Sequence, residues 1–456
     1  MGTVTNLSHD NKTGMSDAPA TNSILAKRTD SRQNPLVGAF VALLLFMIIY
    51  CARPEDWIPG LSRAPLAKIT GILALLALVF SLRYVRQRLP RAVVFMALLV
   101  GQLFLSALLS PVWRGGAFGL TLDFAKVLMI VIVIAAAVTT IQRLRVLIFA
   151  QAISVSTIAA VAIWKGRLIL GRLEGILGGN YADPNDLALA IIISLPLCLA
   201  LLFLSRKWLG KILWSISMLV MTYAVFLTGS RGGFLAFVVV AAICIWGFAI
   251  RGHRIYLLVF AVLAGLVLWQ FAGGMLVGRL KGTFNVNEDA AAAYASGQAR
   301  QELLLQSIKI TKQHPLFGVG PGNFQQVSGS WHETHNSFTE MSAEGGVPAL
   351  VLYMLILWTG FKNLSAIKRL ARGQRESSLL ARALLASLAG YVVGSFFLSV
   401  AYQFFPYILV AYTIALTSIA QKSAAQSQEY ESTRQATGAK KLCVDTSESE
   451  LTWHSG

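Results

Sequence analysis

Residues 187–204 read "LALAIIISLPLCLALLFL", a run without one charged side chain. About 20 apolar residues in a row carry a helix across a hydrocarbon core, and continuous rather than alternating hydrophobicity excludes a barrel strand. Inside a bilayer every backbone amide must be satisfied within its own segment, so such a run becomes a helix. Similar runs recur along nearly the whole chain of 456 residues, which is 55% hydrophobic and 13% charged, with a mean hydropathy of +0.63. These values exclude most soluble architectures.

The reading is an all-α polytopic integral membrane protein with about twelve transmembrane helices and one large outer loop that contains a helix. The predicted spans are 36–52, 65–82, 92–110, 124–140, 146–164, 186–204, 208–228, 233–250, 255–274, 337–361, 379–399 and 403–420. Residues 1–35 form a disordered cytoplasmic tail without the apolar core and small-residue cleavage site of a signal peptide. The first nine spans lie within 36–274, the outer loop is 275–336, the last three spans lie within 337–420, and 421–456 is a disordered cytoplasmic tail.

With the N-terminus inside, the cytoplasmic connections include "RYVRQRLPR", "TIQRLR", "SRKWLGK", "RGHR" and "KNLSAIKRLARGQRESS". Each is basic, as cytoplasmic loops are. Topology therefore accounts for most of the net charge of +18 before any nucleic-acid partner is invoked, and none is expected. Cys51, Cys198 and Cys244 lie in apolar runs and Cys443 in the polar tail, so neither a disulfide framework nor a metal-ligand spacing is present.

In the outer loop, "QARQELLLQSIKITKQ" has helical spacing and "HPLFGVGPGNF" is a rigid glycine- and proline-rich turn. That turn lacks the flanking strand and helix of a nucleotide-binding loop. The same face carries Lys165, Arg167, Arg172, Arg231, Arg279, Lys281, Arg300, Lys309 and Lys312. Many cations at an interface snorkel to lipid phosphates. Arg231 stands apart, because "FLTGSRGGFLAF" leaves it in a tight glycine-flanked turn at the start of a helix, where free N–H groups and the helix dipole favour an anion such as phosphate.

In "LGGNYADPNDLALAII", Asp183 precedes Pro184, Asn185 can cap the helix and Asp186 sits in its first turn. These residues suit either a helix start or the orientation of a sugar hydroxyl. In "SWHETHNSFTEMSAEGGVPAL", Ser330 to Leu350, Ser337 and Glu340 have the spacing of a capping box, and the glycine pair and Pro348 loosen the following helix. His332, Glu333 and His335 invite a zinc reading, but the spacing is not HExxH and no third ligand is evident. A neutral His335 could instead take a proton from a sugar hydroxyl as general base.

"TGSRGGFLA", the Arg300 helix leading to "HPLFGVGPGNF", and "HNSFTEMSAEGGVPAL", in that order, resemble the bacterial O-antigen ligase family and the related polymerases and protein oligosaccharyltransferases. "NYADPNDLALAI" is similar to the ligase-like proteins of exopolysaccharide or exosortase loci. The resemblance spans about 180–357. It implies a metal-independent glycosyltransferase of the bacterial inner membrane that needs no cofactor and faces the periplasm. The donor would be an undecaprenyl diphosphate-linked glycan, and the acceptor a lipid, a polysaccharide or a protein, in contact with membrane lipids. On that resemblance Arg231, Arg300 and His335 are the expected catalytic residues. Asp183, Asn185, Asp186, Arg279, Asn336 and Glu344 are the expected substrate contacts. Family members often carry an aromatic shortly after the helix arginine, whereas "RQELLLQ" has leucines. A polymerase of the same superfamily and a lipid-linked glycan transporter are the alternatives.

Overall fold

The computed structural model describes residues 36–61, 64–81, 89–169, 172–175, 181–252, 254, 265–266, 270, 288–330, 332–370 and 373–451. These residues form an all-α polytopic membrane bundle. Ten described helices are long and apolar enough to cross a membrane, and a shorter apolar helix joins them. The chain runs through α1 (Val37–Ala52), α2 (Pro54–Trp57), α3 (Leu66–Phe80), α4 (Arg91–Leu108), α5 (Arg114–Ala137) and α6 (Ile141–Lys165). A two-residue hairpin, β1 (Leu168–Ile169) with β2 (Arg172–Leu173), pairs Leu168 with Leu173 and Ile169 with Arg172. Then come α7 (Pro184–Leu204), α8 (Trp208–Thr228), α9 (Arg231–Cys244) with a π-helical turn at Ile245–Ile250, and α10 (Glu288–Gln313). The last elements are α11 (Phe324–Ser328), α12 (Ser337–Leu370), α13 (Arg375–Ser395) and α14 (Phe405–Leu451).

The run that opens the sequence argument is α7, and it takes the centre of one half of the bundle. It is apolar all round, so no face prefers lipid, and α6, α8, α9 and α13 pack around it. Small residues allow two of these approaches. A side chain at Gly390 would strike Val240 of α9, and one at Gly394 would strike Leu189 of α7. In the other half, α12 packs against α4, α10, α13 and α14.

The span expected at 255–274 lies outside the described residues apart from 265–266 and 270, and so do the tail 1–35 and Arg279. Several boundaries differ from the sequence reading, among them the start of α5 at Arg114 rather than 124. α12 continues to Leu370, and α14 continues to Leu451, through residues read from sequence as a disordered tail. The α12 extension, "KNLSAIKRL", carries Lys, Arg, Leu and Ala, and the α14 extension carries Ala, Gln, Lys and Glu, side chains that lose little rotamer freedom in a helix, so the helix propagates beyond the apolar part.

Candidate active site

At the N-terminal end of α7, Asp183 is the N-cap, and its Oδ1 accepts from the Asn185 N–H at 2.6 Å. The sequence reading gave that cap to Asn185. The correction follows from Pro184, which occupies the first helical position and puts the cap one residue before it. Asn185, the second helical residue, is buried and does something else. Its Oδ1 accepts from Ser230 Oγ at 2.7 Å and from Arg172 Nη2 at 2.9 Å. Arg172 Nε also donates to the Thr228 carbonyl at 3.0 Å.

These bonds tie the start of α7 to the turn between α8 and α9. Gly229 ends α8 in the left-handed conformation at φ 56, and Ser230 caps α9 by accepting from Gly233 N–H at 3.1 Å. Arg231 is then the first residue of α9, partly exposed, at a helix start whose free N–H groups attract anions. Gly232 is required by packing, since a Cβ there would come within 2.6 Å of Phe397.

The loop helix and the glycine turn reach this end of the bundle through a break in α12. Gly346 lies at φ 81, ψ 173, so the helix opens there, next to Pro348, where the sequence reading expected it to loosen. The turn after α10 fills the opening. Val319 N–H donates to the Ala343 carbonyl at 3.0 Å, Gly320 N–H to the Glu344 carbonyl at 2.9 Å, and Val347 N–H to the Pro315 carbonyl at 2.8 Å. A Cβ at Gly318 would lie 2.4 Å from the Glu344 backbone, so only glycine allows this approach. The buried Glu344 side chain completes the junction, accepting from Gly322 N–H at 2.8 Å and Phe324 N–H at 3.2 Å. From α4, Gln102 and Ser106 bond the carbonyls of Gly345 and Glu344, and Ser110, just past its end, bonds that of Val319. Sequence reasoning missed these three. Their signal was visible as polar positions four apart on an otherwise apolar helix.

The capping box expected from Ser337 and Glu340 does not form. Asn336 is the cap, and its Oδ1 accepts from Phe338 N–H at 3.0 Å and Thr339 N–H at 3.2 Å. Ser337 is drawn away to the segment between α13 and α14, donating to the Leu398 carbonyl and accepting from Val400 N–H. Glu340 follows it, accepting from Ala401 N–H at 3.2 Å. The tertiary partners win because they satisfy buried backbone groups that have no other partner. The Nδ2 of Asn336 donates to the Phe396 carbonyl at 3.3 Å.

His335 sits just before this cap at φ 50, one of two described non-glycine residues with positive φ. Its N–H donates to Ser399 Oγ at 2.9 Å, and its ring centroid is 6.1 Å from that of His332. Burial, then the charges of Arg300 and His332, hold its imidazole below the ordinary value, with Asp183 acting in the opposite direction. Arg300 likewise sits below the ordinary guanidinium value through burial and the charge of Arg231, again offset by Asp183. Four chain segments thus meet electrostatically: Asp183 at the start of α7, Arg231 at the start of α9, Arg300 of α10, and His335 just before α12. Asp186, in the first turn of α7, is partly exposed near them. Among the described residues no group of three His, Cys, Asp or Glu side chains is placed to hold a metal ion.

Residues 216–354 match a family model described as O-antigen ligase. Over this stretch the chain is similar to O-antigen ligases. The ligase match runs from within α8 across α9, α10 and the glycine turn to the break in α12, so it contains Arg231, Arg300, His335 and Glu344 and supports a role in glycosyl transfer within the ligase and polymerase superfamily. Asp183 and Asn185 lie outside the ligase match, and Asn185 is bonded to it through Ser230. No curated protein matches the chain.

Proposed function

We propose that the protein transfers a glycan from a polyprenyl diphosphate, undecaprenyl diphosphate in bacteria, to an acceptor hydroxyl at the periplasmic face of the inner membrane. The observation that carries this reading is the convergence of two guanidinium groups and one imidazole held in its neutral form at one end of the bundle. Two guanidinium groups at close quarters favour an anionic ligand, and a diphosphate offers several acceptor oxygens to both.

The acceptor oxygen attacks the anomeric carbon, and the bond from that carbon to the diphosphate oxygen breaks. The electron pair leaves with the diphosphate, where Arg231 and Arg300 stabilise the developing charge. The hydroxyl proton passes to the His335 imidazole. A diphosphate leaves without protonation, so no carboxylic acid is needed, and direct displacement inverts the anomeric centre. Asp183 balances the cationic cluster and, with Asp186, is positioned to orient sugar hydroxyls. Glu344 and Asn336 serve mainly by holding the loop and the start of α12. Arg279, outside the described residues, is a further candidate phosphate contact.

Reconstitution with a polyprenyl diphosphate-linked glycan tests the reading. Arg231→Ala should lower transfer by about 10² to 10³ while the protein still inserts, and Arg231→Lys should restore little, because one ammonium does not replace a planar fork. Full transfer by the alanine variant would sink the assignment. Analysis of the products separates a ligase, which releases a glycan joined to a different acceptor, from a polymerase, which lengthens the repeat.

A further inference from the structure

The opposite end of the bundle holds a second charged feature. α7 begins at the Asp183 cap and, at 1.5 Å per residue, its far end lies about 30 Å away. There Leu204 at the end of α7 and the starts of α6, α8 and α13 border a cavity of about 740 Å³. Arg145, Arg206, Lys211, Arg254 and Arg375 line it, against one carboxylate, Glu376. Arg145 Nη1 pairs with Glu376 Oε1 at 3.1 Å. Among the described residues the other four cations have no ion pair. Arg254 lies over the Phe203 ring, 4.0 Å from its centroid, and its buried Nη1 has no hydrogen-bond partner.

Two independent features leave this charge uncompensated. Residues 187–287 contain no Asp or Glu, so the connections beside the cavity cannot neutralise it. Three helices also point their N-terminal ends at it, and two of the lining cations lie in first turns: Lys211 in α8 and Arg375 in α13. A helix dipole disfavours cations at that end and favours an anion. Basic loops explain why lysine and arginine lie on this side, but not why they line one cavity at three helix starts. The volume exceeds that of inorganic phosphate, and Phe203 and Leu204 give it an apolar wall.

We propose that this cavity binds a phosphate-bearing anion, and that its occupant is the head group of an anionic phospholipid from the adjacent leaflet. The site is separate from the transfer chemistry and does not depend on it.

Native mass spectrometry of the full chain released from nanodiscs of phosphatidylcholine and phosphatidylglycerol tests the proposal. The wild type should retain phosphatidylglycerol over phosphatidylcholine. Arg206→Gln combined with Lys211→Gln should lower that preference about tenfold or more. Glu376→Gln, which frees Arg145, should raise retention, an outcome that misfolding cannot produce. Equal retention by the wild type and the double variant, or no gain in Glu376→Gln, would overturn the site. In detergent without lipid, inorganic phosphate should raise the melting temperature far less than short-chain phosphatidylglycerol does. An equal rise would assign the cavity to free phosphate and overturn the lipid.

Discussion

His335 N–H donates to Ser399 Oγ at 2.9 Å, so the segment between α13 and α14 holds the candidate base in its positive-φ conformation. Thr334 Oγ1 shares the same hydroxyl at 2.9 Å. A left-handed histidine stores strain that its surroundings must hold. Ser399→Ala removes the bond without touching substrate. Turnover should fall by about tenfold, the scale of one hydrogen bond to a partly buried donor, with donor KM unchanged. A rise in KM at constant turnover would place Ser399 in donor binding instead.

The acid limb of activity should lie below pH 6.5, the ordinary midpoint of an imidazole. Burial, Arg300 and His332 hold the His335 imidazole below its ordinary value, so it stays neutral and able to accept a proton to lower pH. Asp183→Asn keeps a good helix cap but removes the carboxylate that opposes this shift, so the limb should move further down. His335→Gln should lower transfer by about 10² to 10⁴ and lose the limb altogether. A limb that stays in place in both variants would assign it to another group.

His335 also affects stability with a defined sign. Its folded-state value lies below the unfolded one, so protonation favours the unfolded chain and stability falls as pH drops through the ordinary imidazole range. His335→Gln should flatten the melting temperature between about pH 7 and 5. An unchanged pH slope would show that the imidazole is not the group responsible.

Glu344 fastens the glycine turn by accepting from two backbone N–H groups. Glu344→Ala should leave the buried Phe324 N–H unsatisfied, at a cost of roughly 1–3 kcal/mol, while the exposed Gly322 N–H turns to water, and should lower the melting temperature. Hydrogen exchange should speed up at Gly322 and Phe324 before it does in α7. Protection that survives at both amides would mean the turn is held by the break in α12 alone.

The orientation has a direct chemical test. In a chain with its native cysteines replaced by serine, cysteine at the exposed Gln298 should react with an impermeant maleimide in spheroplasts. Cysteine at the exposed Lys207 should react only after lysis. The reverse pattern would overturn the periplasmic placement of the transfer site.

The sequence by itself determined the class of the protein and most of its helices, because hydrophobic length and charge in loops are local properties. It also made Arg231, Arg300 and His335 stand out, the first by its glycine-flanked turn and all three by resemblance to a family. What only the tertiary structure decided were the partners of polar side chains. Local spacing gave helix caps to Ser337 and Asn185. The fold used Ser337 for Leu398 and Val400, and Asn185 for Arg172 and Ser230. Gln102 and Ser106 became fasteners for a helix break more than 200 residues away. A buried hydroxyl or amide bonds whichever unsatisfied group the packing brings nearest, and in a bundle that group sits on another helix at a register that no local pattern encodes.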